Sequence, residues 1–281
     1  MSVSIMNPVP DRAEWNAFFP SPYSLALYTG AKTDFDGAVY EKKYTGHQKI
    51  LVVLTEERYL AMTNGRLFST GNHPVETLLP LMHLAGAGFS FDIATLSGNR
   101  AKLEQWAMPL GDAAVMKFYE SILPQLESPE NLAGLMGRTG LAGYAAVFIP
   151  GGHGVLAGIP QSPVMGQMLH MAMKKDLFII SICHGPASFL AAAGQGSFLF
   201  EGYEICAFPD AMDEGANVDI GYLPGHLGLL AAGELKKCGV RICNEGISGQ
   251  VRRDRNLLTG DSPLASNALG RLAAETMLQE V

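Results

Sequence analysis

The chain has 281 residues, 48% hydrophobic and 17% charged, which is enough apolar material to bury a large core in one α/β domain with an elaboration. Twenty basic against 27 acidic residues leave a net charge of −7. With no basic stripe or interleaved aromatic platform, binding to nucleic-acid backbone is excluded as a primary affinity. Met1 to Asp11 lacks the basic start and apolar run of a secretory signal, and no apolar stretch approaches the roughly 18 residues of a membrane span. A cytoplasmic protein with no membrane partner is expected. The four cysteines (Cys183, Cys206, Cys238 and Cys243) have no C-x-x-C spacing and are expected as reduced thiols, with structural zinc excluded.

Residues 1–48 are rich in Pro, Gly and aromatics without sustained periodicity, which predicts an arm or small lid packed on the body rather than a disordered tail. From residue 49 to 281 the pattern is that of an α/β core. Ile50–Leu54 is a β-branched apolar run, the mark of a strand buried on both faces. Pro74–Ala87 reads as a helix stopped by Gly88, and Phe89–Leu96 as a strand. A looser section, about 97–143, reads as an insertion. Ala145–Pro150 is a predicted strand, Val164–Lys175 a helix, Leu177–Cys183 a strand and Pro186–Ala193 a helix. Tyr203–Phe208, Val240–Cys243 and Leu257–Thr259 follow as strands, with helices at Leu229–Cys238 and Ala265–Glu280. Alternation of this kind predicts a flavodoxin-like three-layer sandwich with a mainly parallel sheet, whose function collects at the carboxyl ends of the strands.

The sharpest local signal is Ser181-Ile182-Cys183-His184-Gly185-Pro186-Ala187, where a buried strand runs into a tight turn and then a helix. That is the context of a nucleophile elbow, and a helix start at Pro186 would lower the thiol pKa. The plainer reading is an inert core cysteine. Pro150-Gly151-Gly152-His153-Gly154 follows another strand. Its amides, with the N–H of His184, could form an oxyanion hole, whereas the plainer reading is a Gly-rich turn. It fits neither the dinucleotide fingerprint nor a phosphate loop. His153 either points into the site or caps the loop, and both remain open. In Ser69-Thr70-Gly71-Asn72-His73-Pro74-Val75-Glu76, Glu76 falls in a first helical turn, where acids belong in any case; Asn72 and His73 share that ambiguity. Asp210, Asp213 and Glu214 supply an acid that could orient His184, and the sequence does not rank them.

Taken together, these motifs resemble the bacterial heat-shock chaperone family, also described as glyoxalase III and as protein deglycase, within the PfpI superfamily. The likeness spans essentially the whole chain. It includes Asn16–Leu25, Leu67–Pro74, Val147–Gly154, Ile205–Asp210, Gly221–His226 and Leu257–Pro263. The resemblance implies Cys183 as nucleophile, His184 beside it, Asp213 completing the set and Glu76 as the proton-handling acid. It implies oxyanion stabilisation by Gly151, Gly152 and His184, with His73 and His153 in the substrate pocket. Small α-oxoaldehydes or glycated side chains are the implied substrates, nucleic acid entering only in glycated form. A homodimer, a small N-terminal domain and binding of unfolded client proteins are implied as well. Metal-binding relatives carry a His-Glu-His set where this chain has Ala85, Ser90 and Ile122, with His83 alone nearby, so no metal and no other cofactor is expected. Two rival readings are a small-substrate cysteine peptidase or amidase and a purely non-enzymatic holdase. An amidotransferase is disfavoured because none of the seven histidines is followed by Glu two residues on.

Overall fold

The structure is a computed structural model that describes residues 4–194 and 197–281. The chain starts with β1 (Val9–Pro10), β2 (Ala17–Phe19) and α1 (Pro22–Tyr28), which begins where the Ser24 N–H donates to the Ser21 hydroxyl. The apolar run becomes β3 (Lys49–Val53), followed by β4 (Tyr59–Ala61), β5 (Leu67–Ser69), α2 (Pro74–Gly86) and β6 (Phe91–Thr95). Next come α3 (Ala113–Glu127), β7 (Glu130–Asn131) and α4 (Leu132–Thr139). Asp112 and Asn131 cap these two helices by accepting backbone N–H bonds, and Gly140, at φ 52°, ends the second. The elbow region contains β8 (Tyr144–Ile149), α5 (Pro163–Lys174) and β9 (Phe178–Ile182). The chain closes through β10 (Glu204–Ile205), α6 (Asn217–Asp219), α7 (Ala231–Lys237), β11 (Arg241–Ile242), β12 (Val251–Asp254), β13 (Leu257–Gly260) and α8 (Ser266–Glu280).

Seven strands form the main sheet in the order β12-β13-β9-β8-β3-β6-β7, with every pair parallel except β12 with β13. The period of two along the strands builds the layers. Ile50, Val52 and Leu54 face a core shared with α2, α3 and α8, while Leu51 and Val53 face a second core shared with α4 and α5. The result is the predicted flavodoxin-like three-layer sandwich. From central β3 the chain runs outward to β6 on one side and later returns to β8 on the other, so the carboxyl ends of β3 and β8 flank a topological switch point.

The first 48 residues do not form a unit by themselves. Strands β1 and β2 pair with β5 and β4 in a four-stranded sheet, because the segment after β3 supplies the partners that two short strands need. The section expected as an insertion is likewise divided, since β7 adds to the main sheet through Ala94 and Thr95.

Two local predictions change, and one strand is new. Of the strand expected at Tyr203–Phe208, only Glu204–Ile205 pairs, and with β11 rather than the main sheet. Side chains take two of the remaining amides: the Cys206 N–H donates to Thr259 Oγ1 and the Ala207 N–H to Asn244 Oδ1. The helix expected at Pro186–Ala193 is a 3-10 segment, Gly185–Ala192. Strand β12 has no apolar alternation to announce it, because it is a polar edge strand.

Helices α2 and α8 pack at Gly270, where an added Cβ would lie 2.8 Å from Pro80 Cα and 2.7 Å from His83 Cδ2. Gly270→Val is therefore expected to destabilise the fold by about 1–3 kcal/mol through overpacking. Urea unfolding followed by circular dichroism measures it, and an unchanged midpoint would contradict this packing.

Candidate active site

Cys183 leaves β9 with φ +59°, a left-handed conformation costly for a residue with a Cβ. Two backbone bonds hold the turn: the Cys183 N–H donates to Gly260 O at 2.9 Å, and the Phe208 N–H donates to Cys183 O at 2.9 Å. The elbow read from the sequence is thus a real strained turn, clamped between the end of β13 and the segment after β10. It aims the sulfur at His184, whose Nδ1 is 3.3 Å from Cys183 Sγ.

Asp213 organises the histidines. His184 Nε2 lies 2.8 Å from Asp213 Oδ2 and His153 Nε2 lies 3.0 Å from Asp213 Oδ1, while the Asn217 amide donates to Oδ1 at 2.7 Å. Burial opposes ionisation of Asp213, but the two imidazoles outweigh it and hold the carboxyl well below the usual range. An ionised carboxylate only accepts, so both rings present Nε2–H to it. That leaves His184 Nδ1 as the lone pair facing the sulfur. Burial, then His153, keeps His184 on the neutral side by lowering its pKa. A π-turn, Met212–Ala216, running into α6 turns Asp213 and Asn217 to the same place. Of the three acids the sequence left unranked, the structure puts Asp213 in the site. Asp210 instead accepts the N–H groups of Ala232 and Gly233 at the start of α7.

Glu76 occupies the first turn of α2, which begins where the β3 loop ends. The Asn72 side chain binds both backbone groups of Thr55, fixing that loop to the end of β3, and the His73 N–H donates to Gly151 O at 3.0 Å. The Glu76 carboxyl is fully buried and neither oxygen has a hydrogen bond of ordinary geometry. Its pKa is raised well above normal by burial, with the Cys183 thiol and the Gly151 N–H as the lowering influences. Gly151 is glycine for space: an added Cβ would strike Glu76 Oε2 and sit 2.8 Å from Cys183 Cβ. Gly152, at φ +97°, needs glycine for its conformation.

One expectation changes here. The Cys183 thiol is pushed well up by burial and then by the Glu76 carboxyl, which outweigh the lowering effect of the His184 N–H. The predicted helix-terminus activation gives way because the thiol is buried and the following turn is 3-10.

A cavity of about 410 Å³ opens over these groups and is lined by His73, Glu76, Gly152, His153, Cys183 and His184. All the predicted pocket residues therefore meet. His153 points into the site and His73 is a neutral base there, its pKa lowered to about 3 by burial and then by His153 and His184. Sequence reasoning missed Glu104, Asn217 and Tyr222. Glu104 lies in a segment without periodicity, Asn217 is visible only once the π-turn is known, and Tyr222 carries no local signal beyond its place in a matching stretch.

Ala85, Ser90 and Ile122 offer one hydroxyl oxygen and no nitrogen, sulfur or carboxylate, so this set does not fit a zinc ion. His83 is committed on both ring nitrogens, to Tyr40 Oη at 2.6 Å and Asn267 Oδ1 at 2.7 Å. His153, His184 and Asp213 are close enough to hold an ion, with donor atoms within 4.8 Å, but they are already bonded to one another.

No protein-family model matches the sequence. The chain is 59% identical over 277 residues to the protein/nucleic acid deglycase HchA of Pseudomonas aeruginosa, covering 97% of this chain and 95% of that protein. The Escherichia coli protein of the same name is 54% identical over 273 residues, covering 97% and 96%. Glyoxalase III of Candida albicans superposes with a TM-score of 0.65 at 22% identity, covering 81% of this chain and 97% of that one, a likeness of fold.

Glu76 should leave a pH signature in stability. Its folded pKa lies above the unfolded value near 4.5, so its burial carries no pH-dependent cost below that pH and a progressively larger one as pH rises toward the folded value. Glu76→Gln is expected to gain stability over wild type between pH 5 and pH 8. Urea midpoints at the two pH values test this, and a constant difference would show that Glu76 is not held protonated.

Proposed function

The chain belongs to the family of protein/nucleic acid deglycases and is an enzyme, and from that premise we propose that it converts small α-oxoaldehydes such as methylglyoxal to 2-hydroxy acids without glutathione. The same site, in this reading, reverses the early adducts these aldehydes form on cysteine, lysine and arginine side chains or on nucleobases. The observation that carries the reading is the buried, unpartnered Glu76 carboxyl beside Cys183. It is a group suited to moving protons between two adjacent carbons.

Cys183 adds to the aldehyde carbon while its proton passes to His184 Nδ1, and the protonated Glu76 carboxyl gives its proton to the carbonyl oxygen. The product is a hemithioacetal beside a Glu76 carboxylate. That carboxylate takes the hydrogen from the first carbon, and an enediol forms. Glu76 returns the proton to the second carbon, and the hydroxyl proton of the first oxygen moves to the second through His184. Breaking one C–H bond and making another leaves a 2-hydroxy thioester. Water then adds at the thioester carbon, the C–S bond breaks, and the remaining protons restore neutral His184 and protonated Glu76. The sum is one aldehyde plus one water to one hydroxy acid. Gly152 and His184 N–H groups stabilise the oxygen charge.

No metal takes part in this reading, which rests on the chain's own acids and imidazoles. It also places the protein in a cytoplasm, where a reactive thiol stays reduced. Among the described residues no helix is long and apolar enough to cross a membrane. A homodimer and a holdase role toward unfolded chains belong to the same reading.

Incubation with methylglyoxal without glutathione should yield lactate from wild type. Glu76→Gln should lose about 10²–10⁴-fold in rate, the usual worth of a positioned acid–base, and Cys183→Ser should be inactive. Folded wild type that makes no lactate would sink the glyoxalase reading. Cys183→Ala is expected to retain any suppression of client aggregation, measured by light scattering, because that role does not pass through the thiol.

A further inference from the structure

Five buried polar atoms of residues that line the cavity have no hydrogen-bond partner: Glu76 Oε1 and Oε2, Glu104 Oε2, Asn217 Oδ1 and His73 Nδ1. Free methylglyoxal brings two carbonyl oxygens, which only accept. Glu76 is accounted for by its proton transfers beside the thiol. Glu104 is not.

Its carboxyl is 1% exposed and held in place. Oε1 accepts from Thr70 Oγ1 at 2.6 Å, and the Glu104 N–H donates to Asn72 O at 3.0 Å. The neighbouring Trp106 indole N–H donates to Ser69 O at 3.1 Å. Glu104 and Trp106 are thus fixed to the same loop that carries Glu76 into the site. Around Oε2 the cavity is aromatic. Trp106 stands edge-on to Tyr222 at 5.8 Å, and Tyr28 stands edge-on to Tyr222 at 5.5 Å. No lysine or arginine among the described residues lines this cavity. The larger neighbouring cavity of about 710 Å³, which shares Glu104 and Trp106, is lined by Arg58, Arg100 and Lys102.

An acceptor oxygen without a hydrogen-bond partner, in a cavity lined by aromatic rings and, among the described residues, by no lysine or arginine, is complementary to a cationic or N–H-bearing nitrogen. Among those residues, the only nearby groups that favour its ionised form besides Thr70 are His184 and the His153 N–H. We propose that Glu104, with Trp106 and Tyr222, forms a subsite for the nitrogen of an amine or guanidine adduct, distinguishing glycated side chains from the free α-oxoaldehyde. The inference rests on the function proposed above and adds the residue that selects between its two substrate classes. An aminocarbinol adduct carries on one carbon the hydroxyl that Glu76 and Cys183 act upon, and beside it the nitrogen that Glu104 would receive. The Glu104 pKa, raised to about 7 mainly by burial, leaves the carboxyl able to ionise when a cation arrives.

Glu104→Gln tests the subsite. The amide keeps the volume and an acceptor for Thr70, removes the charge and turns a donor toward the cavity. The two readouts are kcat/KM for lactate from methylglyoxal and kcat/KM for breakdown of the methylglyoxal adduct of N-acetylarginine. A hydrogen bond to a charged group is worth about 1.5–3 kcal/mol, so the adduct reaction should fall roughly 10- to 150-fold. The free-aldehyde reaction should fall at least about fivefold less, since the free aldehyde has no nitrogen for Glu104 to receive. An equal fall in both reactions, or no fall in either, overturns the subsite, as does wild type that turns over methylglyoxal but not the adduct. Wild type inactive on both substrates overturns the proposed function itself. If Glu104→Gln does not fold, Trp106→Leu carries the same comparison with the same criteria.

Discussion

A carboxyl group buried without a hydrogen bond is the constraint around which the carboxyl end of this sheet is arranged. Leaving such a group unsatisfied costs about 1–3 kcal/mol, and more if it ionises. Glu76 persists there because everything near it is fixed by other bonds. The β3 loop is clamped by the Asn72 side chain, and α2 is tied through His73 to the Gly-rich turn. Gly151 leaves the space that the carboxyl fills. The strained turn at Cys183 is held by two backbone bonds from different parts of the chain. Relaxing any one of these would let the carboxyl reach a partner or water, and its elevated pKa would be lost.

Asp213 is the counterpart of Glu76. Both are buried acids in one cavity, yet their environments push them in opposite directions. Asp213 has two imidazoles and an amide donating to it and stays ionised, whereas Glu76 has none and keeps its proton. Separation of this kind assigns roles without further assumption. The ionised acid fixes the tautomer of His184 and turns its Nδ1 toward the sulfur. The protonated acid is the one with a proton to give. Neutral His73 and His184 follow from the same geometry, since burial opposes charge on both rings and the neighbouring imidazoles add to that effect.

How much of this the sequence carried depended on whether a role is local. Residues 181–187 and 150–154 announce a strand, a tight turn and small residues within a few positions, so the elbow and the Gly-rich turn were legible. The near-continuous apolar runs at 50–54 and 177–183 likewise showed which strands are buried on both faces. Glu76 was not legible from its own surroundings, because an acid in a first helical turn is ordinary. What sets it apart is the later Gly151, whose missing Cβ leaves the carboxyl its space and is visible only in three dimensions. The choice among Asp210, Asp213 and Glu214 depended on a π-turn, which has no sequence signature. The small sheet was missed for a similar reason: β2 finds its partner, β5, across a long separation, and each strand is too short to show alternation.

The resting state of the sulfur bears on which chemistry this arrangement favours. A thiol whose pKa is raised keeps its proton until a ligand arrives, so its reactivity is conditional on having somewhere to send that proton. Addition across an aldehyde meets the condition directly. The carbonyl oxygen becomes a hydroxyl, and the protons of Cys183 and Glu76 are already beside it. The pair formed by Cys183 and Glu76 therefore suits aldehyde addition. The same reasoning makes the free thiol less prone to oxidation than the thiolate of a helix-activated cysteine, because the thiolate is the species that oxidants attack.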